Sequence, residues 1–276
     1  MKVWKSTQST LLKVNMTKII IQGQGIVGKS TELFLKKFIT DVEIIFNDPI
    51  KGVIAPADSW TSADYIMVCV NTDLDESLPL PENNVKNVDD AINEALNNKF
   101  SGTFVIRSTL GMGAIQSYTE QLGQHLLVWP EYIREASWEE DAVTAKFVVL
   151  GGEPAEAFAD LLTEYKGPAF ITDPVEAMIA KLSTNTFLAM KVTFANQVEK
   201  LCKSMGADYN IVKVMLENEG RLGTSHWSVP GNDGTPGFSG KCFPKDVKTF
   251  EAALVKSGLH VDLIRAVTDL NNEMRA

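Results

Sequence analysis

The sequence is poor in the residues that staple small folds or hold metals. Its three cysteines, Cys69, Cys202 and Cys242, stand far apart among 276 residues and show neither a disulfide framework nor a paired spacing such as Cys-x-x-Cys. Reduced thiols and a cytoplasmic location are the expectation. The three histidines, His125, His226 and His260, are equally isolated, which argues against a zinc site. An excess of positive charge is also absent. The net charge is −9 and the pI is near 5.0, which weighs against non-specific nucleic-acid binding but leaves room for a local basic pocket around a phosphate-bearing substrate. No apolar run reaches the roughly 18 residues that a bilayer span requires, so no membrane partner is expected. The opening MKVWKSTQSTLLKVN lacks the apolar core of a signal peptide. Met16 then begins MTKIIIQGQG, so residues 1–15 read as a peripheral N-terminal extension. What the chain does have is apolar residues, 45% of the total, enough for a packed core.

Short apolar runs alternate with helical patterns through the first half. KIIIQG (18–23), VEIIFND (42–48), YIMVCVN (65–71), TFVIRST (103–109), HLLVWPE (125–131) and KFVVLGG (146–152) read as strands. Helical patterns cover 28–38 and about 88–97, and a long loop, TDLDESLPLPENNVK, precedes the second. Such alternation predicts an α/β fold, a doubly wound, mostly parallel sheet covered by helices on both faces. At Asp173-Pro174 the character changes. A helical pattern runs unbroken from 174 to about 206, with apolar positions on more than one stripe, and a second covers 210–218. A Gly/Pro-rich loop (220–241) and a final helical region from Asp246 follow. The expected organisation is therefore a sheet domain over 16–173 and an all-α domain over 174–276 built on one long helix. That helix needs two surfaces to bury against, and a homodimer through 174–206 would provide the second.

GQGIVG sets Gly23, Gly25 and Gly28 in the G-x-G-x-x-G spacing, directly after an apolar strand and at the opening of a helix. In that context the first glycine permits a tight turn, the second lets the backbone approach a pyrophosphate, and the third lets helix and strand pack closely. The helix N-terminus at Ile26, Val27 and Gly28 favours the anion. Asp48 ends the second strand, where a carboxylate can accept both hydroxyls of an adenosine ribose, with Asn47 the candidate if the register is off by one. A carboxylate there repels a 2′-phosphate, so a Rossmann-type domain binding NAD is predicted.

Further polar residues gather at strand ends and on the long helix. Lys181 and Asn185 lie four apart, hence on one helix face. Glu131 and Glu135 in PEYIRE, and Ser108 and Thr109 in RSTLGMG, follow strands at the edge where open α/β sheets bind ligands. GFSGKCFPKD brings Gly240, Cys242, Lys245 and Asp246 together in ten residues.

GQGIVG, RSTLGMG, PEYIRE, KLSTNTFLAMKVTFANQVEKLC, GADY, RLGTSHWSVPG and GFSGKCFPKD occur in an order and spacing that resemble the UDP-glucose/GDP-mannose dehydrogenase family, on its bacterial UDP-glucose 6-dehydrogenase side, from about residue 17 to the end. The resemblance implies an NAD-dependent four-electron oxidation of the C6 alcohol of a nucleotide sugar to a carboxylate. It implies that Cys242 traps the aldehyde as a thiohemiacetal, which becomes a thioester. Lys181 and Asn185 would stabilise negative charge on the substrate oxygen, and Asp246 would help activate water or the alcohol. Glu131 would be the acid–base group for thioester hydrolysis, with Thr109 positioning water beside substrate and cofactor. Glu135, Gly240 and Arg221 would belong to substrate binding, Arg221 reaching the partner subunit's substrate. The chemistry is coherent, because a covalent thiol adduct holds an aldehyde that would otherwise escape, and a nearby cation such as Lys181 favours the thiolate.

Members of that family continue into a further Rossmann-like domain that closes over the nucleotide, whereas this sequence stops at Ala276. Ser239 also stands where a glycine is usual, and Ala114 where threonine is common. The resemblance therefore implies a part of a longer protein, a minimal form, or a chain whose missing domain comes from a separate chain. Two alternatives stay open. One is a β-hydroxyacid dehydrogenase, which shares the dinucleotide domain and a Lys-x-x-x-Asn pair but needs no thiol. The other is a non-catalytic NAD-binding remnant.

Overall fold

The computed structural model describes residues 2–4 and 16–276. The remainder of the N-terminal extension lies outside the described residues. The chain divides into two compact units, residues 1–72 with 84–181, and residues 73–83 with 182–276. The division falls inside the long helix, beyond the expected boundary at 173.

In the first unit the strands are β1 (Lys2–Trp4), β2 (Thr17–Gln22), β3 (Val42–Asn47) and β4 (Tyr65–Val68). Strands β5 (Leu74–Asp75) and β6 (Glu82–Asn83) belong to the second unit, and β7 (Thr103–Ile106), β8 (Leu126–Val128), β9 (Val148–Gly151) and β10 (Ala169–Thr172) return to the first. The helices of the first unit are α1 (Ile26–Phe38), α2 (Ala57–Ser62), α3 (Lys86–Asn97), α4 (Met112–Leu122), α5 (Trp138–Val143) and α6 (Ala155–Leu161). Helix α7 (Pro174–Ser204) crosses from one unit to the other, and α8 (Tyr209–Asn218), α9 (Phe243–Lys256) and α10 (Asp262–Arg275) complete the chain.

The sheet runs β1-β10-β9-β8-β7-β4-β2-β3. From β3 through β8 every pairing is parallel, whereas β9 meets β8 antiparallel and β1 meets β10 antiparallel. Ile19, Ile20 and Ile21 are all fully buried, as expected of a central parallel strand covered on both faces. The core joins Ile19, Ile21, Met67, Val105 and Leu127 of the strands to Phe34 and Leu35 of α1 and Phe158 of α6. After β3 the chain crosses to the other side of β2 and enters β4. This reversal makes a topological switch point at the C-terminal end of β2, where the glycine loop lies.

Within the N-terminal extension, residues 2–4 are part of the fold. They form an edge strand on β10, with Trp4 Nε1 donating to Asp160 at 3.0 Å. Helix α7 begins where predicted. Pro174 occupies the first turn, and the Asp173 side chain accepts the Val175 N–H at 2.7 Å. The second unit packs Ala189 of α7 against Phe238, Val247 of α9, and Ile264 and Val267 of α10. It is not wholly helical, since β5 and β6 pair antiparallel within the stretch read as a loop. Asn83 ties that hairpin to α9, its N–H donating to Thr249 Oγ1 at 3.1 Å. Among the described residues no helix is long and apolar enough to cross a membrane, and no group of three or more His, Cys, Asp or Glu is arranged to hold a metal ion.

Candidate active site

The glycine loop is held by contacts that only glycine allows. Gly23 has φ +96°, and a Cβ there would lie 2.7 Å from the Cys69 carbonyl oxygen at the end of β4. A Cβ on Gly28 would lie 2.0 Å from the Gly23 oxygen, so helix α1 can approach β2 only because position 28 is bare. Gly25 differs. It is the N-cap of α1 with ordinary φ, and open space surrounds the place a Cβ would take. No acidic residue stands in the first turn of α1, so its N-terminal field is uncompensated. Ile26 is partly exposed beside it.

Asn47 and Asp48 separate cleanly. Asn47 turns inward, 2% exposed, donating to Glu94 at 2.9 Å and accepting the Ala55 N–H at 3.0 Å. Asp48 stays at the loop, where Oδ2 accepts the Gln24 N–H at 2.8 Å and Oδ1 the Lys51 N–H at 3.3 Å. The strand-end carboxylate is thus aimed at the glycine loop. The open face at Gly25, the free helix terminus and the adjacent carboxylate together fit a dinucleotide.

A second cluster in the same unit lies past β8. Glu131 and Lys181 are 9% and 3% exposed, and Lys181 Nζ donates to Glu131 Oε1 at 3.3 Å. Glu131 Oε2 accepts the Ile133 N–H at 2.9 Å. Burial pushes the Glu131 carboxyl up. The Lys181 ammonium, the Ile133 N–H and the Arg107 charge outweigh it and hold the group below its ordinary value. The Lys181 ammonium also lies 5.3 Å from the Tyr132 ring centroid, and burial beside Glu131 pushes the Tyr132 hydroxyl up to about 12. Thr109 follows β7, half-buried, its carbonyl accepting the Thr72 hydroxyl at 2.8 Å. Glu135 is exposed at the start of a single 3-10 turn.

The second unit holds the remaining candidates. Asn185 and Asp246 are 6% and 1% exposed, and Asn185 Nδ2 donates to Asp246 Oδ2 at 2.6 Å. Lys245 Nζ donates to Asp246 Oδ1 at 2.5 Å. Cys242 is the N-cap of α9 and is exposed, and the Asp246 N–H donates to its carbonyl at 2.9 Å. Gly240 takes φ +82° two residues earlier, a left-handed turn that aims the chain into the helix. Arg221 is exposed and pairs with the neighbouring Glu219.

The structure therefore joins Glu131 with Lys181 in one unit and Asn185, Asp246 and Cys242 in the other, leaving Glu135 and Arg221 at the surface. Sequence reading named Lys245 as a cation within the cysteine motif without giving it a role, and it missed Arg107. Arg107 was hidden inside the strand read as TFVIRST, and only the fold reveals that it is buried beside Glu131.

Residues 175–273 match the model of the UDP-glucose/GDP-mannose dehydrogenase family, central domain. The chain is 31% identical over 223 residues to a UDP-glucose 6-dehydrogenase of Rickettsia conorii, covering 77% of this chain and 50% of that protein. It is 26% identical over 252 residues to the UDP-glucose 6-dehydrogenase TuaD of Bacillus subtilis, covering 87% and 52%. The chain spans at most about half the length of these curated relatives. Among solved structures, a UDP-glucose dehydrogenase from Pyrobaculum islandicum superposes with a TM-score of 0.78 at 21% identity, over 96% of this chain and 70% of that one. A 3-hydroxyisobutyrate dehydrogenase of Mycobacterium tuberculosis superposes with a TM-score of 0.70 at 16% identity, over 94% of both chains. These two likenesses are of fold.

Proposed function

We propose, from the match of residues 175–273 to the central domain of the UDP-glucose/GDP-mannose dehydrogenase family, that this protein carries out the NAD-dependent oxidation of a nucleotide-sugar C6 alcohol, that of UDP-glucose, to the carboxylate. The observation that carries this reading is the set in the second unit. Cys242 heads α9, Asp246 lies one turn further on, and the Asp246 carboxylate is hydrogen-bonded to Asn185. A single alcohol-to-aldehyde oxidation has no use for an exposed thiol at a helix N-terminus; a two-stage oxidation does.

In this reading Gly23, Gly25, Ile26, Val27 and Gly28 would hold the dinucleotide, with Asp48 available to its ribose hydroxyls, and the bound cofactor would supply the hydride acceptor for each of the two oxidations. Cys242 adds to the aldehyde as thiolate, forming the C–S bond of a thiohemiacetal. Loss of the second hydride leaves a thioester. Lys181 and Asn185 would stabilise the substrate oxygen as it gains charge. Glu131, ionised beside Lys181, takes a proton from the water that Thr109 orients. That water cleaves the thioester, returning the thiol and releasing the acid. Asp246 holds Asn185 and shares in proton transfer. Glu135, Gly240 and Arg221 contact substrate.

A homodimer through α7 is part of the proposal. Phe187, Phe194 and Leu201 recur every seven residues and are 62%, 57% and 60% exposed, with Met205 beyond them at 74%. Seven residues are nearly two full helical turns, so these side chains form one apolar stripe. Burying each Phe or Leu against a second copy contributes roughly 1.5–3 kcal/mol.

The test is the number of NADH molecules formed per UDP-glucose consumed. Two per sugar, falling to one or none in Cys242→Ser, is the expected result, because an oxygen ester of serine neither forms nor hydrolyses as the thioester does. One observation favours a second reading: the superposition over 94% of both chains with a 3-hydroxyisobutyrate dehydrogenase. A β-hydroxyacid dehydrogenase would form one NADH per substrate, insensitive to thiol reagents. NAD binding with no turnover on either substrate would identify a non-catalytic remnant or a chain completed by a separate one.

A further inference from the structure

Arg107 is a cation where packing alone calls for a hydrocarbon. It follows β7, is 5% exposed, and its guanidinium lies 3.8 Å from the centroid of the Trp129 ring. A methionine of similar volume would fill that place without the several kcal/mol that burying an ion costs. Its hydrogen-bond partners are neutral. Nε donates to Thr31 Oγ1 at 3.1 Å, and Nη1 donates to the Trp129 carbonyl at 2.8 Å and, more distantly, to the Pro130 carbonyl at 3.5 Å. Burial lowers the guanidinium to about 10, and the charges of Cys69 and Glu131 act in the opposite direction.

The two carbonyls it holds are those of the residues immediately before Glu131. The Trp129 N–H makes the last sheet bond of this segment, to Ile106 O at 2.9 Å. Pro130 has no N–H to offer. The chain entering Glu131 is therefore held by the Trp129 N–H and ring on one side and by the arginine on its carbonyls. On its other side Thr31 Oγ1, fully buried, donates to Val27 O at 2.7 Å, in the first turn of the helix that follows the glycine loop. A continuous hydrogen-bonded path thus runs from the start of α1 through Thr31 and Arg107 to the backbone that presents Glu131.

We propose that Arg107 is a positioning residue for Glu131, fixing the chain that carries its carboxylate and tying that chain to the first turn of α1. The proposal rests on the reading of Glu131 as the acid–base group. The charged and titratable groups facing Glu131 are Lys181 from α7, Arg107 and Cys69 from the strand ends, and the adjacent Tyr132.

Two measurements that need no turnover test it. The first is amide hydrogen exchange at Ile133, whose N–H donates to Glu131 Oε2, read beside Ile66 and Met67 in β4 as reporters of global opening. In Arg107→Met, Ile133 exchanges faster by about tenfold relative to β4, the loss of one charge-assisted hydrogen bond, and Arg107→Lys restores part of the protection. A purely structural role would speed both sites equally, and that result overturns the proposal. The second is carbon-13 titration of the glutamate carboxyls, the Glu131 signal being assigned by its loss in Glu131→Gln. Its midpoint rises in Arg107→Met and returns toward the wild-type position in Arg107→Lys; an unchanged midpoint in the methionine variant refutes the charge contribution. Should Arg107→Met fail to fold, Thr31→Val decides. Selective loosening of Ile133 supports the path from α1, and wild-type exchange there overturns it. Failure of the proposed oxidation alone would leave both measurements intact, so the two ideas fall separately.

Discussion

Replacing Lys181 with methionine isolates the buried ion pair. Nζ and Oε1 are 3.3 Å apart, with the side chains of Lys181 and Glu131 only 4% and 10% exposed. At that separation and an effective dielectric of ~20, the attraction is about 5 kcal/mol. The variant should lose less than this. Glu131 keeps the Ile133 N–H and the Arg107 charge, the desolvation of the ammonium disappears, and Glu131 can take up a proton. A loss of about 3 kcal/mol at neutral pH is expected. The pH dependence follows from the direction of the Glu131 shift. Its folded-state carboxyl is held below the ordinary value, so the stability it contributes is fully present above the unfolded-state value and disappears as pH falls through the folded one. In the variant, burial is no longer outweighed by the ammonium and favours the neutral acid. The deficit against wild type is therefore largest near pH 7 and narrows toward pH ~4. Urea unfolding followed by tryptophan fluorescence at the two pH values measures it. Adding Glu131→Gln to Lys181→Met should recover most of the loss, since a buried pair replaced on both sides leaves no uncompensated charge. A loss under ~1 kcal/mol at neutral pH, an equal loss at both pH values, or a double variant as unstable as the single one would refute the reasoning.

The glycines of the loop should separate by assay. Gly28→Ala brings a methyl to 2.0 Å from the Gly23 oxygen and should cost about 2–3 kcal/mol in urea unfolding. Gly25→Ala enters open space at an ordinary φ, so its unfolding midpoint should match wild type while calorimetry records at least about tenfold weaker NAD binding, the backbone being held off the pyrophosphate. Phe194→Glu, in the middle of the exposed stripe of α7, should turn a dimer into a monomer by light scattering, and a dimer that survives the change would exclude this face.

The parallel sheet was legible because its strands are unbroken apolar runs, and the glycine loop because three bare positions at fixed spacing have few other uses. Antiparallel pairing was not legible. VVLG reads the same in either direction, and β9 meets β8 through one residue pair, Val128 with Gly151. Strand β1 was invisible for another reason. Three residues carry no periodicity, and what holds them, Trp4 to Asp160 and Lys2 to Glu156, depends on residues more than 150 positions away. Arg107 follows the same logic. Its role lies in carbonyls it meets only after β7 and β8 pair.

The cysteine motif offers the sharper case. The final helical region was expected from Asp246, two residues past Pro244. Yet proline lacks only an N–H that the first helical turn leaves unused, and α9 begins at Phe243 with Pro244 inside that turn. The difference is three residues, and it changes the chemistry. A helix starting at Asp246 would leave the thiol in a turn, with no fixed relation to the carboxylate. A helix starting at Phe243 makes Cys242 the N-cap and sets Asp246 four residues on, one turn along the same face, its N–H on the Cys242 carbonyl at 2.9 Å. The helix thus fixes the spacing between thiol and carboxylate, and Asn185 and Lys245 fix the carboxylate. Proline between them is therefore part of the site's geometry, and Pro244→Gly should loosen it by raising the entropy of the unfolded segment without removing any side chain that reacts.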